Sequence, residues 1–165
     1  MAALADIDKA QLRERLLAHV RDELEAVTQS HRSTTRGATH EESRPENDKD
    51  TRALESTYLA RGLAMRVAQL TEDLARLERF AVRAFSHEQP LALAALVRID
   101  DEGTERVYFL APAGAGTKLE HDGLSIIVLT PSSPLGRMLI GKHLDDEVQF
   151  DSPQGQRHLV VLDLA

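Results

Sequence analysis

The residues best equipped for chemistry lie between His40 and Asp50, where Glu41, Glu42, Glu46, Asp48 and Asp50 put five carboxylates in eleven positions. Mg²⁺ takes one or two carboxylates while it keeps several waters. A two-metal site that hydrolyses a phosphodiester needs its second metal held and its attacking water oriented. A run of acids can supply that, or it can be no more than a solvated loop; spacing alone leaves both open. His31 and His40 flank the run and could tune its charge near neutral pH.

Nothing else in the chain offers a self-contained reaction. The sequence has no Cys, which removes thiolate catalysis, disulfides, iron-sulfur ligation and sulfur-based zinc sites, and fits a reducing cytoplasm. The seven His are scattered without metal-ligand spacing, so no metal is assigned to them. Gly114-Ala115-Gly116-Thr117-Lys118 lacks the spacer and the Gly-Lys-Ser/Thr order of a phosphate loop and reads as a loop between strands. No Ser-His-Asp order or carboxylate dyad is supported by spacing. The protein is therefore expected not to be an enzyme on its own.

The elements that must position the acids are helices. Leu12, Leu16, Val20, Leu24 and Val27 form one helical stripe, and Leu63, Val67, Leu70, Leu74 and Leu77 keep a four-three rhythm like a heptad seam. Residues 28 to 52 between them contain Ala38 as the only apolar side chain. Two facing stripes with a polar connection predict an antiparallel helical coiled-coil hairpin over residues 1–84 with its tip around 40–50. A short helical pair with a disordered loop is the alternative. If each arm is about 30 residues, the hairpin extends on the order of 45 Å.

Pro90 marks a break, and residues 89–165 read as a second domain with strands at Leu91 to Ile99, Arg106 to Leu110, Leu124 to Thr130, Glu147 to Phe150 and His158 to Leu164. Asp101-Glu102-Gly103 and Ser152-Pro153-Gln154-Gly155 are turn sequences. One short helix interrupts the strands, with Ser133 as its N-cap, Pro134 at its first position and Gly141 just past its end. The fold class is α+β. Of the net charge of −7, most arises after residue 84, where 6 basic residues face 12 acidic ones. Such a chain is a poor polyanion binder, and with two Tyr, four Phe and no Trp it lacks a base-stacking platform, so free nucleic-acid binding is not expected. The N-terminus has no basic n-region, and no stretch approaches a membrane span.

The run Ser133-Pro134-Leu135-Gly136-Arg137, then Leu139-Ile140-Gly141-Lys142, Asp146-Glu147-Val148 and Pro153-x-Gly155, resembles the C-terminal domain of the Gre transcript-cleavage factors. The resemblance is close over residues 124 to 164 and looser over 90 to 123. It implies an FKBP-like antiparallel β domain with one short helix, preceded by a coiled coil where the helical pair lies. It implies a transcription elongation factor whose acidic tip enters the secondary channel of bacterial-type RNA polymerase. Nascent RNA would be met only through the polymerase, Mg²⁺ would be shared with the polymerase active site, and the protein would be a cytoplasmic monomer with no membrane partner.

Residue by residue, the resemblance assigns the trans-acting tip acids to Glu42 and Glu46, with Glu41, Asn47, Asp48 and Asp50 as helpers. Glu46-Asn47 matches the family's terminal Glu-Asn pair. The family's other acid falls three residues before the Glu, where this chain has Ser43, with Glu42 one place earlier; Pro45 also departs and restricts Arg44 to extended geometry. Ser133, Pro134 and Leu135 carry over as polymerase-docking residues, although an N-cap, a first-turn proline and a buried Leu also serve the helix itself. Arg32, Arg36 and Arg52 are candidates to approach RNA, or to pair with acids within the hairpin. A channel-binding regulator that does not stimulate cleavage is the alternative function.

Overall fold

Lys9–Glu41 form helix α1 and Lys49–Arg79 form helix α2 in a computed structural model that describes residues 3–41, 49–153 and 155–165. Asp8 starts α1: its carboxylate accepts the backbone N–H groups of Ala10 and Gln11 at 2.9 and 3.1 Å, satisfying two donors that a helix start leaves open. Leu12, Leu16 and Val20 are buried, whereas Leu24 and Val27 are half-covered. On α2, Leu70 and Leu77 are buried and Leu63, Val67 and Leu74 half-buried. Arg13 donates to the carbonyls of Leu77 and Glu78, and Glu23 pairs with Arg66. Partners therefore fall in number on α2 as they rise on α1, the register of an antiparallel pair.

Most of the polar stretch 28–52 is helical, since α1 runs on to Glu41 and α2 begins at Lys49. Its hydroxyl residues make this possible. Thr28, Ser30, Thr34 and Thr35 each donate to the carbonyl four residues earlier, at 2.7 to 3.1 Å, so side chains that compete with a helix elsewhere are satisfied within it.

The remaining chain forms β1 (Leu96–Asp101), β2 (Thr104–Leu110), β3 (Lys118–His121), β4 (Leu124–Leu129), helix α3 (Pro134–Leu139), β5 (Glu147–Ser152) and β6 (Gly155–Leu164). One six-stranded sheet has the order β3-β4-β2-β1-β6-β5. The expected five antiparallel strands need two corrections. β3 is an additional strand, and β2 pairs with β4 in parallel, Val107 opposite Ile126 and Leu110 opposite Leu129, so the sheet is mixed. The β3–β4 hairpin inserts β4 beside β2, and the chain between β2 and β3 provides the crossover that a parallel pair requires.

The strand expected at Leu91 to Ile99 starts instead at Leu96, because Ala94 has φ +76° and residues 91–95 serve other bonds. Leu91 donates to the Lys142 carbonyl at 2.7 Å and Ala94 to the Leu110 carbonyl at 2.9 Å. Both central residues of two hairpin loops, Glu102-Gly103 and Asp122-Gly123, have positive φ, the geometry that matches sheet twist.

The chain divides into two compact units, residues 18–75 and residues 1–17 together with 76–165. The division anticipated between residues 84 and 89 does not coincide with these bounds. The ends of both long helices belong to the sheet-bearing unit, where Leu12, Leu16, Leu17 and Leu77 are buried. Its main core gathers Val97, Ile99, Tyr108, Leu110, Leu139, Val148, Leu159 and Val161. Among the described residues, no helix is long and apolar enough to cross a membrane.

Candidate functional site

The Ser133-Pro134-Leu135 segment opens α3 between β4 and β5. Ser133 caps the helix: its hydroxyl oxygen accepts the Gly136 backbone N–H at 3.0 Å and donates to the Thr130 carbonyl at 2.8 Å. Thr130 and Ser132 share a hydroxyl contact at 3.1 Å, and Arg137 donates to the Ser132 carbonyl at 2.7 Å. The turn before α3 is thus fastened by four side chains. Pro134 stands exposed at the first helical position, where its missing N–H costs nothing.

Leu135, expected to be buried, is only half-buried; it packs on the edge of the core, and Leu139 is the fully buried member of this helix. Gly141, with φ +82°, ends the helix as expected and donates to the Leu91 carbonyl at 2.8 Å.

Gly136 is the residue in this segment whose role spacing did not expose. A Cβ there would lie 2.0 Å from the Thr130 carbonyl oxygen, so only glycine lets the helix lie against its own capping turn. The quoted motif contained the glycine but nothing to say what it faces.

Pro131 and Ile140, on either side of α3, also line an open groove of about 920 Å³ in the sheet-bearing unit. Phe80, Leu93 and Ile140 supply apolar surface, and Arg76, Arg79 and Arg83 bring positive charge. Leu93 and Ile140 are 39% and 38% exposed, which is unusual for large aliphatic side chains side by side and suits contact with a protein surface. Sequence reading missed this groove because its lining comes from five separate segments.

Near the groove, Lys9 is held by the Arg83 carbonyl at 2.7 Å and lies 5.0 Å from the centre of the Phe85 ring. Burial, and secondarily the Arg83 charge, lower its pKa to about 8. Burial likewise raises the Tyr108 phenol.

Of the acids, Glu42, Glu46 and Asp48, with Asn47 beside them, lie outside the described residues. Glu41 and Asp50 fall in the last residue of α1 and the second of α2. Arg32, Arg36 and Arg52 are exposed on the same two helices. Among the described residues no group of three His, Cys, Asp or Glu side chains is placed to hold a metal ion.

Comparison with known proteins matches residues 93–165 to the family model "Transcription elongation factor, GreA/GreB, C-term". The chain is 29% identical over 92 residues to the transcription elongation factor GreA of Sulfurovum sp. (strain NBC37-1), covering 56% of this chain and 54% of that protein. It is 32% identical over 100 residues to the GreA of Xanthomonas axonopodis pv. citri (strain 306), covering 61% of each. The chain thus spans little more than half the length of these curated relatives. Similar solved structures include Thermus aquaticus Gfh1, 17% identical with a TM-score of 0.39 over 89% of this chain and 92% of that one. The GreA/GreB factor from Nitrosomonas europaea is 20% identical with a TM-score of 0.36 over 58% of this chain and 78% of that one. Residues 93–165 of this chain are thus similar to the C-terminal domain of the GreA/GreB transcription elongation factors.

Proposed function

We propose that this protein is an accessory factor of bacterial-type RNA polymerase, docking through its sheet-bearing unit and carrying the acidic segment around residues 40–50 into the polymerase secondary channel. The observation that carries this reading is the GreA/GreB C-terminal domain at residues 93–165, joined in one chain to two helices of 33 and 31 residues that bracket the acids. On this reading Ser133 positions the docking turn, while Pro134 and the exposed side of Leu135 touch the polymerase. The groove beside α3 widens that surface for a partner with apolar and acidic side chains.

The chemistry belongs to the polymerase. Glu42 and Glu46 supply oxygens to a Mg²⁺ ion shared with its active site or orient the attacking water, with Glu41, Asn47, Asp48 and Asp50 lending charge or hydrogen bonds. The consequence is hydrolysis of the nascent RNA of a backtracked complex. Arg32, Arg36 and Arg52 lie on the arms where displaced RNA would pass.

The test is RNA cleavage in a stalled, backtracked complex at fixed Mg²⁺ with the protein titrated in. Wild type is expected to accelerate cleavage, and Glu42→Ala and Glu46→Ala to lose the acceleration. Equal cleavage with and without wild type would refute stimulation. Ser43, standing where the family has an acid, favours a second reading, a channel-binding regulator. Binding to polymerase with unchanged or slowed cleavage selects it.

A further inference from the structure

Helix α2 carries apolar side chains on two opposite faces. Leu63, Val67, Leu70, Leu74 and Leu77 form the buried or half-buried seam of the hairpin. On the other side Leu54, Tyr58 and Met65 are 55%, 65% and 66% exposed. At about 100° per residue the two rows lie roughly half a turn apart. The exposed row has heptad spacing. Thr51, Leu54, Tyr58, Arg61, Met65 and Ala68 alternate at intervals of three and four, and all six are exposed. Gly62, in the interior of this helix, has nothing within 4 Å of where a Cβ would stand. It weakens the helix without any packing reason inside the chain, whereas a second helix lying close would give it one.

We propose that this row is the interface for a second copy of the chain, the two α2 helices pairing antiparallel about a twofold axis. The row is self-complementary in that direction. Thr51 falls opposite the partner's Ala68, Leu54 opposite the partner's Met65, and Tyr58 opposite the partner's Arg61, a guanidinium over an aromatic ring. Parallel pairing would instead set Arg61 against its own copy. Flanking positions Thr57, Gly62, Ala64 and Gln69 are uncharged and Glu55 is charged, while Asp50 and Glu72 continue the same face beyond the two ends of the row. A single pair of helices over residues 51–68 makes a small interface, so the dimer is a reversible one. If the function proposed above holds, pairing covers the arm that must enter the polymerase, and the competent species is the monomer.

Sedimentation velocity of the full chain, without polymerase, between about 5 and 500 μM tests the inference independently of that function. The sedimentation coefficient is expected to rise with concentration for wild type and to stay monomeric for Leu54→Glu and Met65→Glu, with unchanged helical circular dichroism. The chain has no cysteine of its own, so Thr51→Cys and Ala68→Cys chains mixed with a short bismaleimide report the register. Cross-linking between the two variants, and not within either alone, is expected. A wild type that stays monomeric throughout overturns the inference and leaves the row to another protein surface. Association unaffected by the two Glu substitutions, or cross-linking of Thr51→Cys to itself, overturns it equally.

Discussion

Gly136 decides whether helix α3 can form where it does. A methyl group placed 2.0 Å from the Thr130 carbonyl oxygen must push the turn and helix apart, so Gly136→Ala is expected to cost about 2 kcal/mol, read as a lower urea midpoint. Ser133→Ala removes the cap and is expected to cost about 1 kcal/mol. Pro134 is exposed and makes no bond the fold requires. Pro134→Ala should therefore stay within about 0.5 kcal/mol of wild type in stability while weakening polymerase binding; equal affinity would remove Pro134 from the docking surface. Lys9 gives a pH signature. Its folded pKa of about 8 lies below the ordinary 10.5, so unfolding takes up a proton between those values and stability rises with pH across that window. The cost of burying the charge is fully present below pH 8. The gain in urea midpoint from Lys9→Met over wild type should thus be larger at pH 7 than at pH 10.

At the scale of elements, what was legible in the sequence was whatever is written locally. Helix α3 was readable to the residue because Ser133, Pro134 and Gly141 each act on their own backbone neighbours. The long helices were readable from their leucine rows. β3 was missed because Lys118–His121 is four residues long with two charged side chains, although Asp122-Gly123 after it is a strong hairpin signal. The parallel pairing of β2 with β4 is set by long-range packing, which no local pattern records. From residue 28 to 41 no apolar stripe marks the helix, and the hydroxyl residues there are satisfied by bonds to the preceding turn. The loop at Gly114 illustrates such a tertiary constraint. With φ +83° and a Cβ position 2.7 Å from Leu16 Cδ1, Gly114→Ala is expected to destabilise by about 1–2 kcal/mol. Leu16→Ala, which empties a fully buried site, is expected to cost about 2–5 kcal/mol.

For the whole molecule, one compact unit bears the domain that matches the GreA/GreB C-terminal model and the other bears the arms that bracket the acids. The acids themselves were legible only as a composition; their role rests on the Glu46-Asn47 match and on the domain that accompanies them. The groove beside α3 was not legible at all, since Phe80, Leu93, Pro112 and Ile140 meet only in three dimensions. On the proposed function, a net charge of −7 leaves local surfaces to bring the protein to a nucleoprotein enzyme. The central claim, docking by one unit and chemistry by acids on the other, is tested most directly by the rate of transcript cleavage against protein concentration, for wild type and for the Glu42→Ala/Glu46→Ala double variant. The account predicts the same half-saturating concentration for binding polymerase and acceleration by wild type alone. Acceleration that survives in the double variant would contradict it, and so would a polymerase that wild type does not bind.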